Sequence, residues 1–160
     1  MKKFTEFVEE ARQYIEELFP WDVDEIIKQE TDAIILDIRE ECEFISHHIE
    51  HSMLIPRGIL ETACEYDYED SVPELVEARE RDIIVICRSG NRSLLAALTM
   101  SMMGYKNVKS MKTGLRGWND YELPLMNINK EIVDPDKADE LLDAGFCSDL
   151  MHPDRRTIQS

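Results

Sequence analysis

The sequence predicts an α/β fold in three layers, α/β/α, with a mostly parallel sheet between helices and extra helices at both ends. Three observations carry this. Ala33-Ile34-Ile35-Leu36-Asp37 and Asp82-Ile83-Ile84-Val85-Ile86 are short continuous apolar runs, the mark of strands buried on both faces. Helical patterns lie between the strand candidates, which implies parallel crossovers. A length of 160 residues with 43% hydrophobic content suits one compact core.

Taken in order, Phe4, Phe7, Val8, Ala11, Ile15 and Leu18 recur at helical spacing. An amphipathic helix is therefore expected up to Pro20-Trp21, packing on its own domain or on a second copy. Asp22 is placed to cap a short second helix with Ile26 and Ile27 facing inward. After the first strand, Met53-Leu54-Ile55 and Val108-Lys109-Ser110-Met111 are weaker strand candidates. Ser71 to Ala78 carries a proline suited to a first helical turn. Ser93 to Met103 reads as a helix ended by Gly104, with Met100, Met102, Met103 and Met111 as hydrophobic filler. Beyond Pro124, Asn127 to Lys130 reads as a linker, and Asp134-Pro135 opens a helix running through Leu142 to Gly145.

The formal net charge of −16 argues against nucleic acid or an anionic membrane as a partner, because long-range repulsion opposes both. No apolar run reaches the roughly 20 residues of a membrane span. Glutamates follow Lys2 and Lys3 at once, so no secretory signal is expected. Cys42, Cys64, Cys87 and Cys147 form no C-x-x-C pair, and reduced thiols in a cytoplasm are expected.

The informative stretch is Ile86-Cys87-Arg88-Ser89-Gly90-Asn91-Arg92-Ser93, where a buried strand ends and a helix begins. In an open α/β sheet, ligands bind at that edge. A tight loop there turns backbone N–H groups inward, and the next helix adds its positive end. Gly90 permits a backbone conformation closed to other residues. A cysteine at the mouth of such an anion cradle has its thiolate stabilised by the same field. Arg88 and Arg92 can fork onto anionic oxygens. The loop suits a nucleophile with an anion held against it.

Several separated blocks resemble the rhodanese homology family. They are Leu36-Asp37-Ile38-Arg39 with Glu43-Phe44, His48-Ile49, Ile55-Pro56-Arg57-Gly58, the C-x-x-G-x-R loop from Cys87 to Arg92, Gly104 to Val108, and Gly114-Leu115-Arg116-Gly117-Trp118. Departures are His47 and His51 where glycines are usual, Ser52 for alanine, and Thr113 for the first glycine of a pair. The resemblance implies a five-stranded parallel sheet and a core over residues 21–125, with a helix before it (1–20) and a helical extension after it (126–160). It implies a sulfurtransferase in which Cys87 takes sulfur from a small anionic donor such as thiosulfate, holds it as a persulfide, and yields it to a thiol, a protein or cyanide. No cofactor and no metal are expected. Phosphatases and arsenate reductases of the same fold use C-x5-R, one residue longer. A third reading is a docking module that relays sulfur between proteins.

Asp37 and Arg39 end a strand on the edge that carries Cys87. They are candidates to orient the loop, with Asp37 bonding Arg92 or a loop amide, or Asp37 simply starts a turn. Arg57 on that edge is a candidate to attract an anion. Lys106, Lys109, Lys112 and Arg116 form a basic stretch, either a steering patch or a solvated face. His47 and His51 have helical metal-pair spacing, but no fourth-ligand pattern goes with them, and a solvated loop is preferred. Trp118 is expected in the core. Cys42, Cys64 and Cys147 are candidates to resolve the persulfide, with isolated thiols the preferred reading.

Overall fold

The computed structural model describes residues 1–143 and 150–156. The elements in chain order are α1 (Phe4–Arg12), β1 (Glu17–Leu18), α2 (Pro20–Lys28), β2 (Ile34–Asp37), α3 (Glu41–Ser46), β3 (Met53–Leu54), a 3₁₀ turn (Arg57–Ile59), α4 (Leu60–Ala63), α5 (Pro73–Val76), β4 (Asp82–Ile86), α6 (Asn91–Met102), β5 (Asn107–Met111), α7 (Gly114–Asp120), α8 (Pro135–Leu142) and α9 (Pro153–Arg156). The five strands form one sheet, ordered β1-β5-β4-β2-β3. Every pairing is parallel.

Period-two alternation divides the strands between two cores. Ile34, Leu36, Ile83 and Val85 face one side, with Val8, Ala11, Leu60, Leu75 and Leu94. Ile35, Ile84 and Ile86 face the other, with Val23, Leu115, Trp118, Ala138 and Leu142. Burial on both faces is why β2 and β4 read as unbroken apolar runs.

The N-terminal segment departs from expectation. The helix stops at Arg12, and Glu17–Leu18 joins the sheet edge as β1, pairing with Ser110 and Met111. Pro20 opens α2 and does not close the first helix. Its missing N–H is no loss at a first helical position, and the Asp22 carboxylate turns back to accept the Phe19 N–H at 3.2 Å. Helix α1 buries Val8 and Ala11 against its own domain and leaves Phe4 and Phe7 exposed. At two residues, β1 is too short to carry a hydrophobic pattern in the sequence.

The expected linker after Pro124 is instead tied down. Met126 and His48 exchange backbone hydrogen bonds at 2.8 Å, and the Ile128 N–H donates to the Ile45 carbonyl at 3.1 Å. Asp134 caps α8 as expected, accepting from the N–H groups of Asp136 (3.0 Å) and Lys137 (3.2 Å). Gly145 and Cys147 lie outside the described residues. Met102, expected as filler, is exposed, whereas Met100 and Met111 are buried. Among the described residues, no helix is long and apolar enough to cross a membrane.

Candidate active site

Cys87 directly follows β4 at the carboxyl edge of the sheet, and four residues later α6 begins. The turn brings the chain back over the sulfur. Cys87 Sγ accepts the Gly90 N–H at 3.1 Å and the Ser93 N–H at 3.3 Å. It also lies 3.3 Å from Ser93 Oγ, a hydroxyl whose proton can rotate toward an ionised sulfur. Ser93 Oγ is itself held by the Gly90 carbonyl (3.1 Å) and by the buried Ser110 hydroxyl (2.8 Å). The sulfur therefore rests at the floor of a cradle of backbone donors, above the start of a 12-residue helix. This is the field that favours negative charge. Cys87 is only 1% exposed, so a reacting group must enter end-on.

The turn depends on two close approaches. Gly90 has φ +93°, and Thr113 N lies 3.0 Å from where its Cβ would be. Gly114 has φ +60°, and a Cβ there would fall 2.5 Å from the Cys87 carbonyl oxygen. That contact lets the N–H groups of Leu115 and Arg116 donate to the carbonyls of Cys87 (2.9 Å) and Arg88 (3.0 Å). The amino end of α7 thus clamps the Cys87 turn from behind.

Thr113, standing where the resembling family has glycine, sits at φ +66°. A β-branched side chain in this region carries about 1–3 kcal/mol of strain. It is also wedged against Gly117, whose added Cβ would fall 1.8 Å from Thr113 Oγ1. Thr113→Gly is expected to raise the unfolding free energy by about 1 kcal/mol, the relieved strain being partly offset by a freer unfolded chain. Urea denaturation measures it, and a destabilised variant refutes it.

The two loop arginines have different fates. Arg92 forks onto Glu43 of α3, at 3.1 and 3.0 Å. Burial pushes the Glu43 carboxyl up, but the Arg92 fork and the Glu40 N–H outweigh it and hold it below its ordinary range. The Arg92 guanidinium is raised, first by Glu43. Arg92 therefore ties the loop to α3 and is not free for an incoming anion. Arg88 forms no ion pair among the described residues, and its buried Nε has no hydrogen-bond partner. Ser89 and Asn91 are half-buried in the turn. The N–H groups of Asn91 and Arg92 open α6 and have no intrahelical acceptor.

The expected partners of the loop are placed differently. Asp37 bonds neither Arg92 nor a loop amide. It and Arg39 are fully buried together, with Asp37 Oδ2 accepting from Arg39 Nη2 at 2.7 Å and Oδ1 from Nε at 3.0 Å. Arg39 also donates to the His47 carbonyl at 2.7 Å, and its Nη1 lies 2.8 Å from His47 Nε2. His47 is buried, not solvated; burial and then the Arg39 charge hold its pKa down to about 4, so the ring is neutral. Arg57 turns to Glu61 (3.2 Å) and Thr99 (3.4 Å). Cys42 is exposed on α3, and Cys64 is buried, its thiol pushed up chiefly by burial. Trp118 is in the core, its Nε1–H donating to the Pro124 carbonyl at 3.0 Å.

Sequence reasoning gave no role to Glu43, Ser110 or Gly114. Glu43 and Gly114 belong to the blocks that resemble the family, so their signal was present without a partner. Ser110 had none, being one of three polar residues in the mixed strand Asn107–Met111.

A family model described as rhodanese-like domain matches residues 20–121. "Putative sulfur carrier protein YrkF" of Bacillus subtilis is 38% identical over 98 residues, covering 59% of this chain and 48% of that one. The chain thus spans about half the length of YrkF. Thiosulfate sulfurtransferase 18 of Arabidopsis thaliana is 31% identical over 108 residues, 62% of this chain and 74% of that one. A solved structure from Rhodopseudomonas palustris, a protein of unknown function described as a possible tyrosine phosphatase, is 29% identical. It superposes with a TM-score of 0.72 over 78% of this chain and 95% of its own.

Proposed function

The chain belongs to the rhodanese-like domain family, and on that premise we propose that it is a sulfurtransferase carrying one sulfur atom on Cys87 as a persulfide. The observation that carries this reading is the sulfur cradle: Cys87 Sγ faces two backbone N–H donors at the floor of a short turn, with the unpaired Arg88 beside it. With thiosulfate as donor, Arg88 and the free amides of the turn hold the sulfonate oxygens. The Cys87 thiolate attacks the outer sulfur. The bond from that sulfur to the sulfonate breaks, and its electron pair leaves with sulfite. The persulfide anion inherits the donors that held the thiolate. An acceptor thiolate or cyanide then attacks the outer sulfur, and the electron pair of the S–S bond returns to Sγ.

The phosphatase reading fits less well. C-x5-R chemistry needs an arginine forked onto a tetrahedral anion, and Arg92 is already forked onto Glu43. The loop is also one residue shorter than C-x5-R, and a sulfur only 1% exposed suits a slender sulfane sulfur better than a phosphoryl group.

Incubation with thiosulfate is expected to add one sulfur atom, about 32 Da, to the intact protein and to release sulfite. Unchanged mass with thiosulfate and with a persulfide donor, together with steady hydrolysis of an aryl phosphate, refutes the reading.

A further inference from the structure

Phe19, Trp21 and Tyr121 form an aromatic stack at the sheet edge that carries Cys87. Phe19 and Trp21 lie face to face with centroids 4.5 Å apart, and Tyr121 leans on Trp21 at 4.7 Å. They are 38%, 40% and 56% exposed, so the rings are displayed and not used as core. Exposed aromatic surface of this kind marks interaction sites.

The stack adjoins the catalytic turn. Phe19 directly follows β1, whose Leu18 pairs with Met111 at the end of β5. Lys112 Nζ stands 5.1 Å from the Phe19 ring centre, and the next residue, Thr113, backs onto Gly90. Around this junction lie three cations, Lys112, Arg116 and Arg88, none with an ion-pair partner among the described residues. Lys106 and Lys109, from the same basic stretch, are paired with Glu80 and Glu16. Asp22, Asp120 and Glu122 neighbour the rings in sequence and form no ion pair with these cations among the described residues. In a chain with 34 acidic residues and a net charge of −16, leaving these three cations uncompensated concentrates positive potential beside Cys87.

We infer that this surface docks an acidic, thiol-bearing segment of a partner protein, which takes the sulfur from Cys87. Carboxylates beside the partner's cysteine meet Arg88, Lys112 and Arg116, and an apolar side chain farther along lies on the three rings. The inference rests on the sulfur-transfer reading and adds the chemistry of the receiver. The partner thiolate attacks the outer sulfur of the Cys87 persulfide. That S–S bond breaks, its electron pair stays on Sγ, and the partner leaves as the persulfide.

The probe is a synthetic ten-residue peptide with one cysteine flanked by carboxylates and one leucine farther along. Its controls are an amide twin and a lysine twin. Binding is read by the fluorescence anisotropy of a dye on the amino terminus of the peptide, and transfer by the mass of the peptide after mixing with persulfide-loaded protein. The acidic peptide is expected to react at least about tenfold faster than its amide twin at low salt, with the advantage shrinking as salt rises. Trp21→Ala, and independently Tyr121→Ala, are expected to weaken its binding by about tenfold while leaving transfer to cyanide unchanged. Lys112→Glu is expected to abolish the preference for the acidic peptide over its twins. Equal rates for the three peptides, or a preference intact in all three variants, overturns the docking surface. So does concentration-dependent self-association that buries Trp21, which would make it a contact between copies. Acidic-peptide binding by a protein that cannot be loaded with sulfur would leave the surface standing and remove the sulfur-transfer reading instead.

Discussion

Cys87→Ser is expected to abolish sulfur transfer while leaving the fold in place. A serine hydroxyl fits the space of the thiol and can use the same donors from Gly90 and Ser93. It is not ionised near neutral pH, however, and it cannot form the persulfide that carries the sulfur. The loss in turnover is expected to be at least about a thousandfold, because removal of a nucleophile removes the covalent route altogether. The gain of one sulfur by the intact protein disappears with it. An unchanged circular dichroism spectrum would show that the defect is chemical. The decisive contrary result is a Cys87→Ser protein that still gains sulfur from thiosulfate, which would place the carrier on Cys42, Cys64 or Cys147.

The second large effect lies beneath the site. Asp37 and Arg39 are both 0% exposed, and the geometry of the pair is nearly ideal. Arg39→Ala leaves a buried carboxylate with no compensating charge, and strips His47 of its partner. Breaking such a pair typically costs about 3–5 kcal/mol, against a total of about 5–15 kcal/mol for a domain. Asp37 sits in register with Ile86, the residue before Cys87, and the Ile38 N–H donates to the Ile86 carbonyl at 3.1 Å. Loss of order at the end of β2 is therefore expected to reach the Cys87 turn and to slow the proposed sulfur transfer as well. Asp37→Asn combined with Arg39→Met is expected to recover much of the stability, since neither charge is then left alone. Urea denaturation of the single and double variants reads both, and a single-variant loss below about 1 kcal/mol would sink the argument.

Much of this protein is local and was legible. β4 is written as an apolar run after its exposed first residue, Asp82, because burial on both faces leaves no further polar position, and its bounds agree with the structure. The Cys87 turn is also local. Two arginines and a glycine within five residues of a cysteine just past a strand already describe a tight turn, and the hydrogen bonds to the sulfur from Gly90 and Ser93 are made within the same eight residues. Contacts that cross the chain were not legible. Arg88 and Arg92 look alike in the sequence, yet Glu43, 49 residues away, neutralises one and leaves the other. His47 reads as a loop residue until Arg39 reaches it across the end of β2.

The sequence by itself therefore determined the layered α/β plan and the tight turn around Cys87, its candidate nucleophile. Periodicity and turn chemistry act between near neighbours, so the code for them is contiguous. Tertiary structure alone decided which cations stay uncompensated, which polar groups are buried in pairs, and that Tyr121 meets Phe19 and Trp21 beside the turn. Those outcomes depend on charge and shape brought together by folding, and Coulomb attraction and burial follow distance in space, not separation along the chain.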